Sequence, residues 1–332
     1  MHGIRALVSL LVPGVLVLPL INCARPEHAA DETYILVASN IKIPYWRAAA
    51  AGLSQAASQL KVKSEMVGPD TYDPQAQKQE FQKAVSRKPT GILVSPADPL
   101  LMSPDIDAAI AQGIPVITID SDSLMSKRLF FIGTDNYEAG RMGAEIAARQ
   151  MQNKGNVVVF TMPEQINLRE RLLGYESMFD RFPQIKIVEV IDIKGNPRVA
   201  FDKTMEILER GKPKVDAFVC LEALACPEVA EVLNRKQVKD KTVVAMDTDL
   251  RTLEWIQKGV IAATIAQKPF TMAAFGLRLL DSLRHNKLPS LEINWAQDTR
   301  SPLPKSIDTG AMLIDKSNVD ALIKTDTSTN PG

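Results

Sequence analysis

Short apolar runs alternate with longer amphipathic stretches along almost the whole chain. The run Tyr34-Ile35-Leu36-Val37-Ala38 predicts a first strand that delivers Ser39 and Asn40 to its carboxyl end. Pro44 then suits the first turn of a helix, where a fixed φ matches and a missing N–H costs nothing. Residues 62–67 predict a second strand. Asp73-Pro74 reads as an N-cap and first-turn proline, with Phe81, Ala84 and Val85 as the apolar stripe of the helix that follows. Ile92-Leu93-Val94 predicts a third strand. Ser103-Pro104-Asp105 is expected to cap the next helix, with Ile106 and Ile110 on one face and Gly113 closing it. Residues 114–119 form a fourth strand ending in Asp120-Ser121-Asp122, and 129–132 a fifth leading to Thr134-Asp135-Asn136.

The pattern then restarts. A helix from about Tyr137 carries Gly140, Gly143 and Ala147, small residues expected to allow close packing on a sheet. Strands are predicted at 157–160, 185–190, 217–219, 243–246 and 262–266, with helical segments between them. Continuous apolar strands separated by helices imply parallel sheets covered on both faces. Two such sets predict an α/β protein of two similar lobes.

Ligands of open α/β sheets gather at the carboxyl ends of strands. Those ends supply Ser39, Asn40, Asp120 and Asp122 from the first half, and Glu222, Asp247 and Gln267 from the second. Arg169, in Asn167-Leu168-Arg169-Glu170-Arg171, opens the helix after the first strand of the second half. Carboxylates accept hydroxyl hydrogens, arginine donates a fork of N–H groups, and an amide does both. Tyr45 and Trp46 add flat apolar faces beside these groups, the combination that suits a polyhydroxylated ring. Each residue alone has a structural alternative: the rings as core, Asp120 and Asp247 as helix caps, Arg169 and Arg171 as surface charges or ion pairs.

The 332 residues carry 39 basic and 39 acidic side chains, so no overall field favours nucleic acid or an anionic membrane. An apolar run over 6–21 preceded by Arg5 has the shape of a signal peptide. It ends in Leu20-Ile21-Asn22-Cys23, similar to a bacterial lipobox with Cys23 as the lipidated residue; ordinary cleavage near Ala29-Ala30 is the alternative. Either cut implies export. Cys220 and Cys226 then remain, to pair in an oxidising compartment or to stay as buried thiols. With His285 as the one histidine beyond the signal and its linker, a zinc site has almost nothing to build from, and no cofactor or metal is expected.

The ordered set of motifs resembles bacterial periplasmic sugar-binding proteins of the ribose-binding type, the type I substrate receptors of ABC importers. The resemblance rests on residues 39–46, on Gly113-Ile114-Pro115-Val116-Ile117-Thr118-Ile119-Asp120, on Gly133-Thr134-Asp135-Asn136 with Gly140, and on Arg169-Glu170-Arg171 with Gly174-Tyr175. Gly259 followed by Ala262-Ala263-Thr264-Ile265-Ala266-Gln267, and Ile307-Asp308-Thr309-Gly310, complete it. It implies two Rossmann-like lobes joined by a three-crossing hinge, a first lobe of 33–134 plus 268–308 and a second of 135–267 plus 309–324; the residues themselves add a signal peptide over 1–22, a linker over 23–32 and a disordered tail over 325–332. It also implies a sugar held by Ser39, Tyr45, Trp46, Asp120 and Ser121 from the first lobe. Arg169, Asn196, Glu222, Asp247 and Gln267 face them from the second lobe and hinge, with Asp122 and Lys42 contributing if their loops turn inward; Asn40, at the end of the first strand, is counted among the ligand contacts as well. Ile43, Ser121, Glu222 and Met246 depart from the ribose binders' pattern, which argues against ribose itself; a neutral sugar or polyol is the default ligand, and because Asp120, Glu222 and Asp247 face mainly Arg169, a ligand carrying an amine is the alternative.

Other classes are disfavoured. No G-x-G-x-x-G follows the first strand, and no P-loop, no G-x-S-x-G elbow and no strand-end histidine occurs. A repressor of the lactose-repressor type would need a helix-turn-helix where the export signal lies. The expectation is therefore a monomeric, non-catalytic sugar receptor of the periplasm or cell envelope, lipid-anchored, without affinity for nucleic acid. Its partner is an ABC permease or, alternatively, a chemoreceptor or kinase that reads the closed form.

Overall fold

In the computed structural model the described residues are 28–323, apart from 30, 287 and 292. The signal segment, Cys23 and the 325–332 tail lie outside them. The chain runs β1 (Thr33–Val37), α1 (Pro44–Leu60), β2 (Lys63–Val67), α2 (Pro74–Ser86), β3 (Gly91–Val94), α3 (Pro99–Ala111), β4 (Val116–Ile119) and β5 (Phe131–Gly133). It continues as α4 (Asn136–Gln150), β6 (Gly155–Thr161), α5 (Ile166–Phe179), β7 (Ile185–Asp192), α6 (Pro197–Arg210), β8 (Ala217–Cys220), α7 (Ala225–Arg235), β9 (Thr242–Met246), α8 (Leu250–Gln257) and β10 (Ala263–Ala266). Last come α9 (Pro269–His285), β11 (Ser306–Asp308) and β12 (Met312–Asp315).

These strands form two six-stranded sheets, ordered β11-β5-β4-β3-β1-β2 and β12-β10-β9-β8-β6-β7. Every pairing is parallel except the edge strand β12, which runs antiparallel to β10. Central strands β3, β4, β8 and β10 are buried along their length, because helices cover both faces; edge strand β7 alternates buried and exposed positions. Each sheet anchors its own apolar core. The chain passes between lobes three times: after β5, after β10, and between β11 and β12. Those crossings are tied side by side. Thr309 N–H donates to the Gly133 carbonyl at 2.7 Å, and Asp135 N–H to Asp308 Oδ1 at 3.0 Å.

Local chemistry explains the element boundaries. Pro44 and Pro74 occupy first turns, and Asp73 Oδ1 accepts from Ala76 N–H at 2.9 Å. Two expectations need correcting. The third helix begins at Pro99 with Asp98 as its cap, so Ser103-Pro104-Asp105 lies inside it rather than ahead of it. Asp98-Pro99 has the same cap-and-proline form one and a half turns upstream. Gly140 and Gly143 serve helix–helix contact rather than a sheet. A Cβ on Gly140 would sit 2.1 Å from the Arg171 carbonyl oxygen, and one on Gly143 would sit 2.0 Å from the Tyr175 hydroxyl. Glycine there lets α4 and α5 approach backbone to backbone, which fixes where α5 directs its side chains.

Candidate functional site

The carboxyl ends of both sheets face each other across one cleft. Ser39, Asn40, Tyr45, Trp46 and Asp120 line it from the first lobe, and Arg171, Glu222, Asp247 and Gln267 from the second. The open space between these walls is about 520 Å³ counted out to its mouth. Tyr72 and Gly195 lie on opposite walls and touch: a Cβ on Gly195, whose φ is +69°, would fall 2.3 Å from the Tyr72 Cβ. The lobes are therefore shut on one another at this rim.

The two halves of the cleft are built alike. Asp120 follows β4 and Asp247 follows β9, equivalent strands of the two sheets, and both adopt left-handed backbone with φ of 62° and 67°. Aspartate tolerates that conformation better than most residues, and it turns each carboxylate off the strand end into the cleft. Asp120 is held by the Tyr45 hydroxyl (2.7 Å) and the Ser95 hydroxyl (2.9 Å). Asp247 accepts from the Gln267 amide nitrogen at 2.9 Å. Gln267 Oε1 in turn accepts from Arg171 Nη2 (2.8 Å) and the Thr134 hydroxyl (2.9 Å), so the amide is oriented from three sides at a hinge crossing.

Arg171 is the cation of this site. Its side chain is 2% exposed and donates from Nε to Asn136 Oδ1 (2.9 Å) and from Nη1 to the Leu221 carbonyl (2.7 Å). Burial raises the Asp120 carboxyl above its ordinary range, opposed by Arg171 and by the hydroxyls of Tyr45 and Ser95. Asp247 rises to about 6 and Glu222 to about 7, again through burial. Both Glu222 oxygens are engaged by the amino end of α7: Leu224 N–H donates at 2.5 Å and Ala225 N–H at 3.0 Å. Cys220 and Cys226 are disulfide-bonded, closing the loop that carries Glu222, Ala223 and Leu224 along the cleft. Of the two readings left open for these cysteines, the bonded one is the one observed.

The structure does not bring every expected residue together. Arg169 is exposed, whereas Arg171 faces the cleft. Asn167, Leu168, Arg171, Gly174, Tyr175 and Met178 share the buried face of α5, and a step of two residues from 171 leads out to solvent. Asp122 is buried but turned away; its carboxylate is gripped by Arg128 through Nε (2.7 Å) and Nη2 (2.6 Å) and by the Thr118 hydroxyl (2.6 Å). Ser121 is wholly buried outside the cleft lining. Asn196 is exposed and caps α6, accepting from Arg198 N–H at 3.0 Å; its neighbour Gly195 reaches the rim instead. Lys42 stays at the surface beside Asp70 at 3.5 Å. Trp46 is 2% exposed with its indole N–H on Ser39 Oγ, so it combines core packing with a place in the wall, edge-on to Tyr45 at 5.2 Å. Tyr72, Met162, Gln165 and Asn167 join the lining without having been singled out. For Asn167 the signal was present, four residues before Arg171 on the same helical face.

Two lobes closing on a polar, aromatic-walled cleft across a three-stranded hinge define a solute-binding clamp. A periplasmic binding protein domain matches residues 34–287. The chain belongs to that family. It is 24% identical over 273 residues to the ribose import binding protein RbsB of Bacillus subtilis, covering 80% of this chain and 86% of that one. Among solved structures it resembles AraP, an arabinose-binding protein of Geobacillus stearothermophilus, at 32% identity and a TM-score of 0.72 over 88% of this chain and 99% of that one. An ABC transporter solute-binding protein of Burkholderia graminis, solved with D-arabinose, matches at 27% identity and a TM-score of 0.79 over 88% and 97%.

Proposed function

We propose that the chain is an extracytoplasmic solute-binding protein that clamps a monosaccharide or related polyol between its lobes and delivers it to an ABC importer. The observation that carries this reading is the pairing of Asp120 and Asp247 across the cleft around Arg171 and Gln267, beside the Tyr45 ring. Carboxylates that accept and a guanidinium that donates satisfy the hydroxyls of a desolvated sugar, and the ring offers a face for its C–H groups. Three of the five guanidinium N–H groups are used within the protein among the described residues, leaving two for a ligand. Sugar contacts are assigned to Asn40, Tyr45, Asp120, Arg171, Asp247 and Gln267, with Trp46 and Ser39 as their support. Glu222 spends both oxygens on α7, which favours a neutral sugar over an amino sugar.

Like its relatives, the protein is a receptor and not an enzyme. Closure is the signal: ligand contacts both lobes only when they are shut, so binding shifts the population toward the form the partner reads. The importer permease as that partner, a lipid anchor on Cys23 and a monomeric state belong to the same proposal. Isothermal titration of ligand-stripped protein with pentoses, hexoses, polyols and amino sugars tests it. Micromolar or tighter binding of one stereochemical class, best for a neutral pentose or hexose, is expected. A folded sample giving no heat with any of them would overturn the assignment.

A further inference from the structure

Far from the cleft, the end of α9 meets the first described residues of the chain. His28, Glu32, Asp281 and His285 place one potential ligand atom each within 4.8 Å of one another. The four are drawn from two segments 253 positions apart, and they gather two of the chain's three histidines. His28, passed over in the sequence as part of a linker, is thus folded against the lobe. We infer that this cluster is a divalent transition-metal site of the zinc type, with two imidazole and two carboxylate ligands.

The donor set fits that chemistry, since zinc takes nitrogen and oxygen ligands in fours. His28 Nε2 lies 3.1 and 3.2 Å from the two Asp281 carboxylate oxygens, and His285 Nε2 lies 3.6 Å from Glu32 Oε1. Bonds of about 2.0–2.1 Å in a tetrahedron put neighbouring ligand atoms roughly 3.3 Å apart, so the nearest separations already match. The supporting contacts are of the kind that prepares ligands. His285 Nδ1 lies 3.0 Å from the Asp281 carbonyl; a carbonyl only accepts, so Nδ1 carries the hydrogen and the neutral ring keeps its lone pair on Nε2. The Tyr34 hydroxyl donates to Asp281 Oδ1 at 3.1 Å and orients that carboxylate.

A second observation marks the site as incomplete on its own. Glu32 is 6% exposed, yet its Oε2 is buried with no hydrogen-bond partner among the described residues. Leaving a buried carboxylate oxygen unmatched is costly. Bound to a divalent ion through two carboxylates and two imidazole nitrogens, the site would be neutral overall. The ion would fasten residues 28–32 to α9, whose 17 residues set it roughly 25 Å from the hinge end at 1.5 Å per residue. Sugar binding should therefore be indifferent to it.

The test uses the full-length chain without an affinity tag, in mild detergent and stripped with chelator, titrated with zinc chloride and separately with cobalt chloride. One zinc per chain, a tetrahedral Co(II) absorption band, and a Tm raised by several degrees on adding zinc are expected. His28→Ala and His285→Ala should each weaken zinc binding by at least ~30-fold with sugar affinity unchanged. Glu32→Gln, closest in shape, should do the same while folding normally. Absence of stoichiometric zinc uptake, or uptake that survives both histidine substitutions, would overturn the site. So would a Tm that follows pH but ignores zinc, the mark of a plain histidine–carboxylate ion-pair clasp.

Discussion

Truncating Arg171 and Arg169 in turn separates two positions that look equivalent in the sequence. Arg171→Ala removes a buried guanidinium with contacts of 2.7–2.9 Å to Asn136, Leu221 and Gln267. It also strips Asp120 and Asp247 of the cation that opposes their burial. Leaving three buried acceptors without their donor costs about 1–3 kcal/mol each. The lower end applies here, because Asp247, already raised to about 6, can take up a proton once the cation is gone. About 3 kcal/mol corresponds to a Tm loss of order 10 °C. The ligand loses charge-assisted hydrogen bonds of about 1.5–3 kcal/mol, roughly a 10- to 100-fold fall in affinity. Arg169→Ala changes an exposed side chain and should stay within about 0.5 kcal/mol on both counts. Arg171→Lys keeps the charge but loses the fork, so it should fall between the two. Isothermal titration at a temperature where all variants are folded by circular dichroism, beside thermal melts, measures both effects. Loss of sugar binding in Arg169→Ala with retention in Arg171→Ala would refute the placement of α5 and the role given to its buried face.

Glu222 and Asp247 have folded-state pKa values above their ordinary ones, at about 7 and about 6, so the native protein holds more protons than the unfolded chain between about pH 4 and 7. Their stabilising contribution is full below that window and is lost as pH rises through it. Glu222→Gln combined with Asp247→Asn should flatten this part of the Tm–pH profile, and an unchanged slope would show that other groups set it. Gly195→Ala places a Cβ against Tyr72 at a φ of +69°, which opposes closure; sugar affinity should drop about tenfold or more, and adding Tyr72→Ala should restore part of it. No change on titration would mean the rim contact is not part of the bound state. Reducing the Cys220–Cys226 bond, whose partners are 6 positions apart, should cost about 2 kcal/mol in thermal melts by loop-entropy reasoning and loosen the Glu222–Leu224 wall. A melt insensitive to reductant would contradict that constraint.

Much of the site was legible because strand ends are legible. Asp120, Glu222, Asp247 and Gln267 each follow an apolar run, and a parallel sheet must point those ends at one rim. The choices that went astray all required knowing where a side chain turns after its strand or helix begins. Asp122 looks like Asp120 in sequence, yet Arg128, six residues on, claims it for the interior. Asn196 caps a helix while its glycine neighbour meets the other lobe. Ser103-Pro104-Asp105 and Asp98-Pro99 carry the same local start signal, and only the folded chain shows that the upstream one opens the third helix.

By itself the sequence determined the alternation of strands and helices, hence two parallel-sheet lobes, since burial of continuous apolar runs on both faces leaves few other arrangements. It also determined the polar character of the strand ends. Only the tertiary structure decided that Arg171 rather than Arg169 enters the cleft, because that depends on how Gly140 lets α5 settle on α4. The meeting of His28 and Glu32 with Asp281 and His285 was likewise decided there. Contacts across 253 positions follow from how α9 returns to the first lobe, and no local spacing encodes that return.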